Sequence, residues 1–286
     1  MVGGDDVTLE ILPEDNKVKN PSPWFAFRIE PDDATRARIT LDYGTWKHRY
    51  QPKISYDGLT WAPLDESSVE VSADSYRASL DLELDGRPVW VAAQELVVPA
   101  IYEVWNRKVA DKTDAQLAEL GKSRFGLPIW WLDTNTKSQE VVLLIGRQHP
   151  PEVSGTFAFV SFFETLHADT DLAKAFRERF RVISIPLLNP DGVASGNWRH
   201  NLGEVDLNRD WGPFTQPETR LVAGLLDELD NNGSHLRVFL DFHSTDRNLF
   251  YTQPYSEITD PPGFGEKWFA SARPRIVDYE FSNEAN

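Results

Sequence analysis

Four short apolar runs in the second half of the chain constrain its fold more than any other feature of the sequence. They are LPIWWLDT (127–134), EVVLLIG (140–146), RVISIPLL (181–188) and LRVFLDFHS (236–244). Continuous runs of this kind are typical of strands that are buried on both faces. Segments with helical spacing lie between them, at 154–169 and 215–232. The pattern predicts an α/β domain with a mixed, largely parallel sheet flanked by helices.

The first third of the chain is richer in turns. Its strand-like segments are WFAFRIE (24–30), ARITLDY (37–43), HRYQPKISY (48–56), RASLDLEL (77–84) and PVWVAAQEL (88–96). Several of them alternate apolar and polar residues, and turns such as SYDGLT separate them, which predicts a small antiparallel β-sandwich over residues 1–108. The α/β domain then covers residues 109–286. It begins with a predicted helix at 113–123, capped by Thr113 or Asp114.

The chain is acidic: it has 29 Lys and Arg against 45 Asp and Glu, so its formal charge is 29 − 45 = −16. Such a charge repels nucleic acid and anionic membranes, and we expect neither as a partner. The sequence has no long apolar run and no recognisable signal peptide. It also has no cysteine, which excludes disulfides and thiolate metal sites and suits a reducing compartment. We therefore expect a cytoplasmic protein.

Three residues that can bind a metal ion follow two of the apolar runs. His149 and Glu152 lie three residues apart in RQHPPE, and His243 comes at the end of VFLDFH. A helical turn at Pro150 would bring the first two to one face. His243 would project over the same edge of the sheet. Two histidines and one carboxylate, with a fourth position open, are typical of catalytic zinc sites. The HxxE pair alone would be explained equally well by an ordinary loop histidine that lies beside a helix-capping glutamate.

Polar residues are also concentrated in LLNPDGVASGNWRHNLGEVDLNRDW, residues 187–211. In a metal hydrolase that acts on a chain end, one of the arginines Arg199 and Arg209 could stabilise an oxyanion. The other, with Asn208, could clasp a terminal carboxylate, because the guanidinium fork matches that anion. Asp206 could accept the free ring N–H of a ligand histidine. The alternative is a solvated loop in which Asp206 or Asn208 caps a helix.

Together these stretches resemble the zinc metallocarboxypeptidases, and more closely the cytosolic carboxypeptidase branch. PLLNPDGVASGNWRHNLGEVDLNRDW is similar to the NPDG…DLNR segment of that branch, and QPETRLVAGLLDEL, LGKSRFGLPIWWL and WFAFRIE resemble its flanking segments. The resemblance implies a carboxypeptidase-like fold with one Zn²⁺ ion held by His149, Glu152 and His243. HPPE departs from the branch, which usually has glycine at the second middle position.

The resemblance also implies roles for the polar segment. Arg199 matches the arginine that polarises the scissile carbonyl, Asn208 and Arg209 match the pair that holds the C-terminal carboxylate, and Asp206 matches the aspartate behind a ligand histidine. The general base of the family is a glutamate on a later strand. Since only residues 244–286 follow the third ligand, we expect this base beyond the given sequence, with Glu280 as a weaker candidate. Without a base the rate should fall by roughly 10²–10⁴-fold.

The predicted function is zinc-dependent hydrolysis of the C-terminal peptide bond of a peptide or protein tail. Two alternatives remain open from the sequence. One is a zinc amidohydrolase that removes acyl groups from small N-acyl amino acids, because the same clasp would hold their carboxylate. The other is a catalytically inert module that binds a peptide tail. The side chain removed and the oligomeric state are not determined by these patterns.

Overall fold

The computed structural model describes residues 6–14, 23–31, 35–113, 115–134, 137–245, 247–254, 256–276 and 278–282. The chain forms two compact units, residues 1–243 and 244–286. No helix in the described ranges is both long enough and apolar enough to cross a lipid bilayer.

Two four-stranded sheets form the N-terminal part of the first unit. The strands are β1 (Asp6–Glu10), β2 (Ala26–Ile29), β3 (Arg36–Asp42), β4 (Lys53–Ser55), β5 (Ala62–Pro63), β6 (Val69–Val71), β7 (Arg77–Glu83) and β8 (Val89–Ala92). One sheet has the order β1-β3-β7-β6 and the other β2-β8-β4-β5. All pairings are antiparallel except that of β1 with β3.

The two sheets share one apolar core. Alternate residues of β7, such as Leu80 and Leu82, point into it, and Val89 and Val91 of β8 join the same cluster. This is the period-two alternation that made these strands predictable from the sequence. A short 3₁₀ helix, Glu66–Ser68, precedes β6.

The prediction of a helix at 113–123 is wrong for the described residues of this range, and the possible cap Asp114 lies outside them. Helix α1 lies earlier, at Pro99–Lys112, where the sequence analysis placed no helix, and residues Gln116–Lys122 form strand β9. Strand β9 pairs antiparallel with β10, Pro128–Asp133. Leu117 and Leu120 pack into different core clusters, on opposite faces of the sheet. Residues three apart in a strand point to opposite faces, which fits these two leucines, and β9 also has a bulge in its pairing with β10.

The central sheet has five strands in the order β13-β11-β12-β10-β9. Its remaining strands are β11 (Glu140–Gly146), β12 (Arg181–Ile185) and β13 (His235–Phe242). Strand β11 is parallel to both β12 and β13, whereas β10 is antiparallel to its two neighbours. The sheet is thus mixed, and its parallel half is the half that carries the candidate metal ligands.

Helices cover both faces of this sheet. They are α2 (Val153–Leu166), α3 (Asp171–Arg179), α4 (Pro190–Ser195) and α5 (Pro217–Asn231). Leu143 and Ile145 of β11 pack in a cluster with residues of α5, whereas Leu144 packs with Phe159 and Phe163 of α2. Strand β11 is therefore buried on both faces, which explains its continuous apolar sequence.

The second unit contains β14 (Leu249–Tyr251), helix α6 (Phe264–Ala272) and β15 (Glu280–Ser282). Strands β14 and β15 are parallel. Phe269 of α6 packs against both strands, with ring centroids 5.7 Å from Phe250 and 5.3 Å from Phe281. The unit therefore has a small aromatic core of its own.

Candidate metal centre and active site

The candidate ligands lie at the carboxyl ends of two neighbouring parallel strands. Gly146, the last residue of β11, pairs with Phe242, the last residue of β13. His149 follows the first strand and His243 follows the second, so both rings lie at one edge of the sheet. Their centroids are 4.9 Å apart. Ligands collect at this edge in open α/β sheets.

Glu152 enters the same place through a tight turn. The amide of Glu152 donates to the carbonyl of His149 (3.3 Å). Buried Arg147 stabilises the turn, because its Nε donates to the Pro150 carbonyl (2.8 Å). Glu152 is the N-cap residue of α2, but its side chain does not cap the helix. Its Oε1 lies 2.8 Å from His149 Nδ1, and its Oε2 lies 2.8 Å from His243 Nδ1.

An aspartate lies behind each histidine. Asp206 Oδ1 is 3.0 Å from His149 Nε2, as the sequence analysis expected for this residue, and Asp241 Oδ2 is 2.8 Å from His243 Nε2. Asp241 was not among the residues predicted from the sequence. Its position two residues before His243 could have indicated the contact, because residues two apart in an extended strand lie on the same side. Both rings are thus oriented with Nδ1 towards Glu152.

The donor set fits a zinc ion in its chemistry and in its electrostatics. Ligand atoms of His149, Glu152 and His243 all lie within 4.8 Å of one another. Burial opposes charge on both rings, but hydrogen bonds to Asp206 and Glu152 raise the pKa of His149. Burial is likewise outweighed at His243, where Asp241 and Glu152 raise the pKa to about 10. Burial also opposes ionisation of Glu152, yet its two histidine contacts lower the pKa to about 2. The site favours positive charge, which a divalent cation can supply in place of protons.

Arg199 is tied to this cluster through Asp206. Its Nε donates to Asp206 Oδ2 (2.6 Å), while the other oxygen of Asp206 contacts His149. Burial opposes ionisation of Asp206, but His149 and Arg199 together hold its pKa well below the usual range. Among the described residues the terminal Nη groups of Arg199 have no hydrogen-bond partner, and its side chain is 28% exposed. They can therefore donate to a bound ligand.

Asn208 and Arg209 lie in a 3₁₀ helix, Leu207–Arg209, whose N-cap residue is Asp206. The amide of Asn208 donates to Asp206 Oδ1 (2.9 Å). Asp206 is therefore both a helix cap and a partner of His149, so the two readings from the sequence are compatible. Arg209 is exposed, and within the described ranges its guanidinium contacts only the Asn208 carbonyl, at 3.2 Å.

The NPDG turn connects the loops that carry these side chains. Asn189 caps α4 by accepting from the Gly192 amide (3.0 Å), and its Nδ2 donates to the carbonyls of Gln148 (2.9 Å) and His200 (3.3 Å). A Cβ at Gly192 would lie 2.7 Å from the His200 carbonyl oxygen, so only glycine fits there. Asp191 accepts from Ser123 Oγ (2.8 Å) on the β9–β10 connection. The turn is a structural junction beside the metal centre.

Gln148 is a second residue that the sequence analysis missed. It is fully buried, and its Nε2 donates to Asp241, the partner of His243. Its Oε1 accepts from Trp211 Nε1 (3.1 Å). A glutamine beside a histidine gives no sequence signal for this role, because the contacts join residues 63 and 93 positions away in the chain.

Glu280 lies in the second unit, on β15. Its carboxylate is exposed and lies 3.2 Å from Arg247 Nη1. An exposed ion pair of this kind is ordinary surface chemistry. The expectation that the general base lies elsewhere stays a prediction.

Comparisons with known proteins agree with this geometry. A family model described as zinc carboxypeptidase matches residues 101–275, more than half of the chain. Cytosolic carboxypeptidase 4 of Mus musculus is 38% identical over 113 residues, which are 38% of this chain and 10% of that protein. Cytosolic carboxypeptidase 6 of Caenorhabditis elegans is 30% identical over 144 residues, which are 48% of this chain and 31% of that protein. The chain thus spans well under half of the length of these relatives.

Solved structures show the same fold across almost the whole chain. A metallo-carboxypeptidase from Pseudomonas aeruginosa superimposes with a TM-score of 0.74 at 22% identity, covering 100% of this chain and 80% of that one. A metallo-carboxypeptidase from Burkholderia cenocepacia gives a TM-score of 0.71 at 21% identity, covering 92% and 73%. At these identities the likeness concerns the fold. The family match, over more than half of the chain, means that this chain belongs to the zinc carboxypeptidase family, and the matches to cytosolic carboxypeptidases support the branch that the sequence predicted.

Proposed function

We propose that this chain is a zinc-dependent metallocarboxypeptidase that hydrolyses the C-terminal peptide bond of a peptide or protein tail. The observation that carries the proposal is the convergence of His149, Glu152 and His243 beside an arginine that is tied to them through Asp206. The names of the matched relatives, cytosolic carboxypeptidases, support a cytoplasmic location for this protein too.

The two histidines and Glu152 would hold one zinc ion through Nδ1, Nδ1 and the carboxylate. When bound, the ion supplies Lewis-acid chemistry, which polarises a peptide carbonyl and makes a water molecule more acidic. Asp206 and Asp241 accept the ring N–H groups on the far side of the histidines. They fix each ring in the tautomer whose Nδ1 is free to bind a metal.

Arg199 would stabilise the negative charge that develops on the scissile carbonyl oxygen. Its Nε is already engaged by Asp206, so the side chain is oriented before substrate arrives and its terminal groups stay available. A donor that is fixed in advance needs little reorganisation during the reaction. Removal of one such donor typically lowers kcat by roughly 10²–10³-fold.

Asn208 and Arg209 would restrict the reaction to free C-termini. The exposed guanidinium of Arg209 can bind a carboxylate with two parallel hydrogen bonds, and the Asn208 side chain can add a third. The short 3₁₀ helix places both residues directly after Asp206, and thus next to the element that orients Arg199 and His149.

We also propose that residues 1–108 form a β-sandwich domain in front of a catalytic domain at 109–286. The apolar core shared by the two N-terminal sheets supports this division. The proposed boundary falls inside α1, which has a buried residue on each side of it, Asn106 and Val109. Helix α1 is therefore the element to keep intact when the domains are expressed separately.

The test is an assay of the zinc-loaded chain on peptides with free C-termini, on matched C-terminal amides and on N-acyl amino acids. Release of C-terminal residues from the free acids, lost on chelation and restored by zinc, is the expected result. Cleavage of N-acyl amino acids alone would favour the deacylase alternative. Tail binding without turnover would favour the inert module. His243→Ala should abolish zinc binding, whereas His235→Ala, at the exposed start of the same strand, should not.

A further inference from the structure

Glu14 reaches from the N-terminal sheet region into the loop that carries Arg199. Its Oε2 accepts from the backbone amides of Trp198 (2.6 Å) and Arg199 (2.8 Å), and both of its oxygens lie 3.2 Å from the amide of His200. His200 Nδ1 is a further 3.1 Å contact. The side chain of Glu14 is only 3% exposed. One buried carboxylate therefore receives three consecutive backbone N–H groups.

These N–H groups belong to a loop without a regular hydrogen-bond ladder. Helix α4 ends at Ser195, and its C-cap residue Gly196 has a left-handed backbone with φ of 69°. The amide of Asn197 donates to the Gly192 carbonyl, and that of Asn201 donates to the Val205 carbonyl. The three amides between them converge on Glu14. Successive N–H groups that point to one side form a concave anion-binding site, and an anion is needed there because buried donors are costly to leave unpaired.

The contact bears on catalysis through Arg199. The backbone of Arg199 is held by Glu14, and its Nε is held by Asp206, which also contacts His149. Arg199 is thus held at both ends of its flexible methylene chain, at the backbone amide and at Nε. Loss of the contact at the backbone amide would let the loop move, while the candidate metal ligands, on other loops, stay in place.

We propose that Glu14 is a positioning residue for Arg199, so that the segment after β1 completes the active site. Its effect on the rate rests on the proposed carboxypeptidase function, whereas its effect on the loop does not. A carboxylate is required because it offers two acceptor oxygens and a negative charge. Glutamine has one acceptor oxygen, and its NH₂ group would face N–H donors.

The experiment compares Glu14→Ala and Glu14→Gln with Glu10→Ala in the full zinc-loaded chain. Glu10 is the matched control, because it ends β1 four residues earlier and is exposed. On a peptide with a free C-terminus, Glu14→Ala should lower kcat by roughly 10²-fold, the loss typical of a misplaced catalytic group. KM should change little, because Asn208 and Arg209 keep their places. Glu14→Gln should lie between Glu14→Ala and the wild type.

Added formate separates positioning from general damage. The Glu14→Ala cavity retains three N–H donors, so formate should bind there and restore part of kcat, with propionate less effective because of its size. Hydrogen exchange provides a readout that is independent of activity. The amides of residues 198–200 should exchange faster in Glu14→Ala than in the wild type or Glu10→Ala, and formate should slow them again.

Three results would overturn the proposal. The amides of residues 198–200 could exchange in Glu14→Ala at the wild-type rate, Glu10→Ala could lose as much kcat as Glu14→Ala, or formate could fail to restore the kcat of Glu14→Ala. If Glu14→Ala proves unfolded by circular dichroism, Glu14→Gln serves for the kcat and hydrogen-exchange measurements, without formate, because it keeps the side-chain volume and leaves no cavity. If the wild type cleaves no peptide, the proposed function fails while the exchange experiment still decides on the loop. If Arg199→Ala abolishes turnover and neither Glu14 variant lowers kcat, the function stands and the positioning role is wrong.

Discussion

Gly155→Ala tests how closely helix α2 must approach His243, the third candidate metal ligand. Gly155 lies in the first turn of α2, against the end of β13. A Cβ at this position would lie 2.7 Å from the carbonyl oxygen of His243 and 2.9 Å from its carbonyl carbon. Ordinary contacts of this type begin at 3.4 Å, so the backbone of His243 or the helix must move by up to 3.4 − 2.7 = 0.7 Å. The mutation therefore acts on the ligand without touching its side chain.

The size of the effect follows from this displacement. Zinc sites tolerate deviations of only about 0.2 Å in ligand distance. A shift several times larger should weaken zinc binding by about 10–100-fold, the loss typical of changes that disorient a ligand. The overpacked contact should cost about 1–3 kcal/mol of unfolding free energy. Alanine recovers at most about 1 kcal/mol of this through its helix propensity.

Gly224→Ala is the matched control, because it is also a helix glycine but its Cβ would meet no atom within 4 Å. It should leave zinc affinity unchanged and stabilise the fold by up to about 1 kcal/mol. Zinc affinity is measured by competition with a chromophoric chelator, and stability by urea unfolding of the metal-free proteins. If both variants bind zinc like the wild type and are equally stabilised, the close approach of α2 to His243 does not control the site.

Three further predictions concern the metal and the substrate. Asp206→Ala should lower zinc affinity by about 10–100-fold, because His149 loses its orienting partner; a chelator competition with unchanged affinity would contradict this. Arg209→Ala should cost about 1.5–3 kcal/mol in kcat/KM on free-acid peptides and nothing on C-terminal amides; equal losses on both would exclude the clasp. Zinc at 100 times its Kd should add about 2.7 kcal/mol to the unfolding free energy of the wild type, and His243→Ala should remove this gain; an equal gain in the variant would place the metal elsewhere.

Much of the α/β half of the fold can be predicted from the sequence because the signals are local. The run EVVLLIG predicts a strand buried on both faces, and β11 alternates its side chains between the α5 face and the α2 face. His149 and His243 follow parallel strands, so their meeting at one edge follows from the direction of the strands alone. The place of Glu152 beside His149 could be predicted because a turn brings residues three apart in the sequence together.

Local signals fail where tertiary packing overrides them. The segment predicted as a helix has leucines at helical spacing, but its residues Gln116–Lys122 form the edge strand β9, in which Leu117 and Leu120 pack on opposite faces of the sheet. Helix α1, just before it, was missed; its buried face mixes apolar Tyr102 and Val109 with polar Asn106. Two apolar residues three positions apart are compatible with a helix and with a strand, and only the neighbouring strand decides between the two.

The sequence by itself determined which residues could bind a metal ion, their order and the strands that they follow, because side-chain chemistry and apolar periodicity are properties of short segments. Only the tertiary structure decided what orients those donors. Gln148 beside Asp241, the close approach of Gly155 to His243 and the hold of Glu14 on the Arg199 loop each join residues that are distant in the chain. Such contacts depend on how whole elements pack against each other in three dimensions. No single segment of the sequence shows which distant residues will meet.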